Sequence, residues 1–244
     1  MTSEKSKVLV LVEGEKTDVK LMTHLFNIYG IEKSHTIVSY NTNIYTLYNE
    51  MFAENSPESI DLLQLLKSRE KDEQRKLIFD EHYSDILLIF DLDPQDPLFS
   101  EEKIRDMSRY FVESSDMGKL YINYPMVEAF YHMESIPDQN YNSRYATMDE
   151  LKAKQYKQRV NSENRNHSYS KFAVDKKECS TVILQNIEKA FLLCGAVQND
   201  MQFVPNSEDI LNVQLNKIEH EDKMAVLCTC VFYISDYNPN LLKS

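Results

Sequence analysis

Glu13, Asp91 and Asp93 stand where the two most apolar runs of the chain stop. Glu13 follows Lys7-Val-Leu-Val-Leu-Val12, and the two aspartates follow Asp85-Ile-Leu-Leu-Ile-Phe90. A continuous apolar run of that length is the pattern of a strand buried on both faces of a parallel sheet. Ligands of such sheets gather at the carboxyl ends of the strands. Positions 91 and 93 are two apart, so on extended backbone both carboxylates leave the same face. A neighbouring strand would bring Glu13 into the same crevice. Like charges that close repel one another unless a divalent cation neutralises them, and an all-oxygen donor set suits Mg²⁺ or Mn²⁺. The plainer account is that strand ends carry acids because the chain is emerging into water. Gly14 and the alternating order of the elements weigh toward the functional one.

Those acids need strands and helices to position them. Leu21, Met22, Leu25, Phe26 and Tyr29 recur at helical spacing until Gly30, and Thr36-Ile-Val-Ser39 reads as a second strand. Ile44, Leu47, Tyr48, Met51 and Phe52 mark another helix. A longer one is predicted from Pro57 to about Ile78, with Leu62, Leu63, Leu65 and Leu66 buried. Ser100 can cap a helix bearing Ile104, Met107 and Phe111, and Gly118 precedes a strand at Lys119-Leu-Tyr-Ile-Asn123. The alternation predicts an α/β fold, a mostly parallel sheet flanked by helices, over residues 1–137. Residues 138–244 read as a basic, mainly helical region. Within it, one helix carries Ile183, Ile187, Phe191 and Cys194, and another, capped by Ser207, carries Leu211, Leu215 and Ile218. Met224 to Ile234 fits helix or strand.

Composition narrows the function classes. Four Gly and seven Pro in 244 residues exclude collagen-like and low-complexity chains. Cys179, Cys194, Cys228 and Cys230 form no C-x-x-C pair and no finger spacing, which predicts reduced thiols rather than disulfides or a zinc site. No apolar run is long enough for a bilayer span or a signal-peptide core, so the expectation is a cytoplasmic protein without a membrane partner. His24, His35 and His82 lie away from the acidic motifs and read as structural or solvent-facing.

A net charge of −12 argues against non-specific coating of nucleic acid. Yet Tyr141 to Lys177 holds nine basic and four acidic residues, a local +5 that leaves −17 for the rest. There Lys152, Lys154, Lys157, Arg159 and Arg165 alternate with Tyr145, Tyr156, His167, Tyr169 and Phe172. Such a segment binds phosphates and stacks bases, or is an ordinary charged helix face.

The runs ending Val12-Glu13-Gly14-Glu-Lys-Thr-Asp and Ile-Phe90-Asp91-Leu-Asp93 resemble the TOPRIM domain of topoisomerases, DnaG-type primases, old-family nucleases and several small ribonucleases. The resemblance covers about residues 7 to 135. It implies that Glu13 serves as metal ligand or general acid/base and that Asp91 and Asp93 hold Mg²⁺ for phosphodiester chemistry. The chain departs from the pattern at Pro94-Gln95-Asp96, where the family approaches a Gly, and Asp96 becomes a third acidic candidate. Tyr121-Ile-Asn123-Tyr-Pro125-Met-Val-Glu128-Ala-Phe130 is similar to small TOPRIM proteins of bacterial phage-defence loci, the RloB-like proteins and the nuclease of PARIS-type systems. By that likeness Glu128 joins the site; otherwise it is a helix-start acid favoured by the macrodipole. Old-family nucleases add a lysine, for which Lys171 stands ready, though a solvated surface lysine fits its position equally.

The resemblance therefore implies a Mg²⁺-dependent endonuclease, a toxic effector of anti-phage defence held by an ABC-type or SMC-like ATPase, with a homodimer left open. RNA, especially tRNA, is preferred to DNA because the basic region is small and the remaining surface acidic. No topoisomerase tyrosine domain or primase zinc finger is visible. A DNA-cleaving TOPRIM nuclease and a regulatory or binding subunit with a structural metal stand beside this reading. Asp91→Ala and Glu13→Gln are expected to hold or raise metal-free stability by relieving repulsion.

Overall fold

The computed structural model describes residues 7–52, 56–115, 117–195 and 204–243. Its centre is an all-parallel sheet of β1 (Val8–Val12), β2 (His35–Ser39), β3 (Asp85–Asp91) and β4 (Lys119–Asn123), in the order β2-β1-β3-β4. Every residue of β1 is buried, as its unbroken apolar run requires of a strand covered on both faces. The fold is α/β, with helices flanking the sheet.

α1 (Thr17–Tyr29) buries Leu21, Met22, Leu25, Phe26 and Tyr29, the stripe that the spacing predicts. α2 (Ile44–Phe52) follows β2. The long helix expected over 57–78 is broken instead. α3 (Leu62–Arg69) and α4 (Glu73–Lys76) lie between short 3-10 turns. Asp61 and Asp72 explain the breaks: each side chain accepts an N–H of the following turn and starts a new helix. Leu62 and Leu66, one helical turn apart, are buried, whereas Leu63 and Leu65 are half-buried. α5 (Glu101–Tyr110) starts at Ser100, whose hydroxyl accepts the Lys103 N–H at 3.4 Å.

The second half is indeed mainly helical. β5 (Tyr145–Thr147), α6 (Met148–Lys152), α7 (Tyr156–Glu163), α8 (Lys176–Leu193), α9 (Ser207–Glu221), β6 (Lys223–Ala225) and α10 (Phe232–Tyr237) succeed one another. Asn206 rather than Ser207 caps α9, because its side chain accepts the Glu208 N–H and Ser207 is already helical. The 224–234 stretch is both strand and helix: β6 pairs with β5, Leu227 exchanges two 2.8 Å backbone hydrogen bonds with Tyr124, and α10 begins at Phe232.

One continuous hydrophobic core joins the two halves. Tyr29 of α1 meets Ser180 of α8 at 2.9 Å, His35 of β2 meets the Tyr233 hydroxyl at 2.9 Å, and Tyr121 of β4 donates to Asp236 at 2.7 Å. Cys179, Cys228 and Cys230 are buried free thiols and Cys194 is half-buried. His24 contacts the Ala173 carbonyl at 2.8 Å and His82 is exposed. Among the described residues, no helix is long and apolar enough to cross a membrane.

Gly118 admits the chain to β4. Its φ is +116°, and a Cβ there would lie 2.5 Å from Leu88 Cδ1 of β3. Gly118→Ala should therefore lower the unfolding free energy by about 1–3 kcal/mol, through left-handed strain and overpacking. Urea denaturation checks this; an unchanged midpoint would show that the turn relaxes freely.

Candidate active site

The parallel register sets the first contacts. β1 lies beside β3, and the Glu13 N–H donates to Ile89 O at 3.0 Å just past the last paired residues. This placement lets Glu13 Oε2 accept the Asp91 N–H at 3.1 Å. Asp91 is paired in register with Asn123 of β4. Its Oδ1 accepts both the Asn123 amide at 3.2 Å and the Val127 N–H at 2.8 Å. Asn123 is held in turn from the second half of the chain, since its Oδ1 accepts the Cys230 N–H at 3.3 Å. The segment that closes on β4 thus supports the acid at the end of β3.

Asp93 does not share a strand face with Asp91. β3 ends at Asp91, and Asp93 takes a left-handed conformation with φ +40° while its N–H donates to Pro125 O at 3.3 Å. Its carboxylate accepts Gln95 Nε2 at 2.9 Å. A non-glycine residue held at positive φ beside such a cluster is the kind of local strain found at functional sites. Asp96 has another task. Its oxygens accept the Asn43 amide at 2.8 Å and the Leu98 N–H at 2.7 Å, so it pins its loop to the start of α2.

Glu128 is buried in the 3-10 turn Val127–Tyr131. Its Oε1 lies 3.1 Å from Lys157 Nζ, while Oε2 is buried with no hydrogen-bond partner. The cation at the acids is therefore Lys157 of α7, whose side chain remains 60% exposed and free to reorient. Lys171 is exposed in the turn Tyr169–Lys171 and makes no ion pair among the described residues.

Asp18 is a further acid of the site, one that the strand-end motifs do not mark. It is buried in the first turn of α1, and its Oδ1 also has no partner. Gly14 makes room for it: a Cβ at that position would lie 2.7 Å from Asp18 Oδ2. A signal was present, because Asp18 precedes Leu21, Met22 and Leu25 by three, four and seven residues and so shares their inward face. An acid on an apolar stripe is the informative exception.

The electrostatics follow from this crowding. Burial, with Asp93 and Asp18 nearby, raises Glu13 from 4.5 to about 8 against the stabilising Asp91 N–H. Burial and the Glu128 charge raise Asp18 from 3.8 to about 6. Asp91 is driven well above the carboxylate range by burial and then by Glu13, Asp18, Asp93 and Glu128, and burial raises Asp93 as well. Burial pulls on the Lys157 ammonium, but the Glu128 charge outweighs it and holds that group above its usual value. Among the described residues, no three His, Cys, Asp or Glu side chains are arranged as a ready metal-holding group. The carboxylates instead accept protein donors, as described above. Their chemistry still fits a hard cation: all donors are oxygens, and two buried carboxylate oxygens, Asp18 Oδ1 and Glu128 Oε2, have nothing to accept.

No family model, curated protein or solved structure matches this chain.

The basic segment divides by partner. Lys152 and Lys154 are exposed and make no ion pair among the described residues. Arg159 pairs with Glu150 at 3.0 Å and donates to Tyr145 O at 2.7 Å, and Arg165 grips Glu178 through two hydrogen bonds of 2.8 and 3.0 Å. The two arginines are engaged in holding the fold, which leaves fewer free cations than the +5 balance suggests.

The raised carboxyls fix a pH dependence. A group whose folded pKa lies above its unfolded value stabilises the fold at low pH and loses that contribution as pH rises through the folded pKa. For Asp18 and Glu13 the loss runs through about 6 and about 8. The metal-free protein should therefore melt at a higher temperature at pH 6 than at pH 8, and Glu13→Gln should reduce that slope while leaving the part due to Asp91 and Asp18. Thermal scans in chelator test this, and an identical slope in the variant would contradict the assignment.

Proposed function

We propose that the chain is a divalent-cation-dependent phosphodiesterase acting on RNA. The observation that carries the proposal is the convergence of Glu13, Asp18, Asp91, Asp93 and Glu128 at the carboxyl ends of β1 and β3 and the turn after β4. Two carboxylate oxygens there are buried and unpartnered, and Lys157 is the neighbouring cation. A buried acidic cluster lowers the stability of a fold, so its retention at the ligand-binding edge of a parallel sheet is best explained by use.

Glu13, Asp91 and Asp93 would hold Mg²⁺ or Mn²⁺, with Asp18 and Glu128 within electrostatic reach. When bound, the cation supplies charge neutralisation, polarises the phosphate and lowers the pKa of a water. In the hydrolysis, a water oxygen forms a bond to phosphorus while the bond from phosphorus to the leaving oxygen breaks. Glu13, at the end of β1 beside the Asp91 N–H, is the carboxylate placed to move the protons. It takes one from the attacking water and can return one to the leaving oxygen. Lys157, tethered by one contact to Glu128, is suited to follow the charge on the phosphate oxygens. Lys171 has no role in this scheme.

The parallel α/β sheet agrees with the fold that the TOPRIM resemblance implies. From that resemblance alone comes the reading of a cytoplasmic nuclease of anti-phage defence restrained by an ABC-type or SMC-like ATPase. The charge of −17 outside residues 141–177 gives such a partner a surface to recognise.

Glu13→Gln and Asp91→Asn should each lower Mg²⁺-dependent RNA cleavage by roughly a hundredfold or more, Lys157→Gln by roughly ten- to a hundredfold, and Lys171→Gln by less than about twofold. Asn is the informative replacement at 91 because its Oδ1 can still accept the Val127 and Asn123 donors. Ala would leave both unpaired, so relief of repulsion alone does not set the stability of Asp91→Ala. Gel assays on a tRNA and DNA panel read the outcome. Cleavage in excess chelator, or full activity of Asp91→Asn, would overturn the proposal.

A further inference from the structure

A cleft of about 380 Å³ opens between the start of α1 and the turn Tyr169–Lys171, with Lys16, Thr17, Lys20, Tyr131, Tyr169 and Ser170 on its walls. Both walls come from elements that also carry an acid of the site. Lys16 and Lys20 flank Asp18 in the sequence, and Tyr131 ends the 3-10 turn that carries Glu128. The Glu128 charge reaches the cleft, for it adds to burial in raising the Tyr131 and Tyr169 phenols.

Three features make the cleft more than a surface dent. The Tyr131 and Tyr169 rings stack with centroids 4.1 Å apart and planes within 9°. Tyr131 is buried and Tyr169 half-buried, so Tyr169 is the outer ring of the pair. The Tyr169 hydroxyl is buried with no hydrogen-bond partner, a polar group awaiting one. Lys16 and Lys20 are exposed and make no ion pair among the described residues, unlike Arg159 and Arg165.

We infer that this cleft binds one nucleotide of a single-stranded RNA beside the bond to be cleaved, its base continuing the Tyr131–Tyr169 stack and its phosphates meeting Lys16 and Lys20. Cleavage beside the cleft rests on the phosphodiesterase reading; the binding does not. A paired base has both faces covered by its neighbours, so an aromatic platform selects unpaired strands. The volume suits a small ligand or a single nucleotide, not a duplex. The hydroxyls of Thr17 and Ser170 offer partners to a ribose 2′-hydroxyl.

The test titrates a fluorescein-labelled single-stranded oligoribonucleotide into the full chain carrying Glu13→Gln, in Mg²⁺, over a series of salt concentrations. Adding Tyr169→Leu should weaken binding by roughly five- to a hundredfold with the salt slope unchanged, while Tyr169→Phe, which keeps the ring and loses only the hydroxyl, should weaken it by a smaller factor of roughly two to ten. Adding Lys16→Gln and Lys20→Gln together should weaken binding and reduce the salt slope by about 1.4. The matching deoxyribonucleotide should bind more weakly than the RNA. Unchanged affinity in Tyr169→Leu, an unchanged slope in the lysine pair, or tighter binding of the deoxyribonucleotide would overturn the inference. The same RNA incubated with the wild-type chain separates the two proposals. If it stays intact while the binding losses appear, the phosphodiesterase reading falls and the cleft stands. If it is cut while the variants bind normally, the cleft falls and the reading stands.

Discussion

The hydrogen bonds received by the Asp91 carboxylate are the point on which the rest of the site depends. Asp91 closes β3, and its Oδ1 gathers the Asn123 amide from β4 and the Val127 N–H from the turn that carries Glu128. Its own N–H reaches back to the Glu13 carboxylate after β1. One aspartate thereby ties three neighbouring segments at the same edge of the sheet. These donors to Oδ1 offset part of the cost of burying the carboxyl, while burial and the neighbouring acids still favour its neutral form in the absence of a cation. The arrangement also leaves oxygens for a ligand: the second carboxylate oxygens of Glu13, Asp91 and Asp93, with the buried, unpartnered oxygens of Asp18 and Glu128 nearby.

The helical second half contributes to this edge from behind rather than by adding ligands of its own. Leu227 extends the pairing at Tyr124, and the Cys230 N–H holds Asn123 in the orientation that serves Asp91. Deeper still, Asn186 of α8 accepts the Cys228 N–H at 2.8 Å and anchors the same segment. Among the described residues, this half sends Lys157 of α7 to the acids. A positive charge on a long, partly exposed stem can approach or leave the cluster without disturbing the packing beneath it.

Much of the fold was legible because its signals are local and repeated. The all-apolar runs of β1 and β3 allow little besides buried parallel strands, and Glu13 and Asp91 follow from where those runs stop. Failures arose where a single polar residue outweighed a pattern. Asp61 and Asp72 turned a plausible long helix into two short ones, and Asn206 displaced Ser207 as a cap. Extended backbone would put Asp93 on the face of Asp91, but its positive φ takes it out of that conformation. Charge along the chain does not distinguish Lys157, which folds over an acid of the site, from Arg159 and Arg165, which grip neighbouring elements. Asp18 was overlooked although it sat on the buried stripe, because a first-turn acid is so ordinary at a helix start.

The central claim is that the buried carboxylates are arranged for a divalent cation, and direct Mn²⁺ binding tests it without requiring a substrate. Free Mn²⁺ would be followed by electron paramagnetic resonance as the full chain is titrated, with Mg²⁺ as competitor and with Glu13→Gln and Asp91→Asn in parallel. The account predicts saturable binding by the wild-type chain, competition by Mg²⁺ and a loss of at least about tenfold in affinity in each variant. Equal Mn²⁺ affinity in the wild type and both folded variants, or no binding at all, would contradict it.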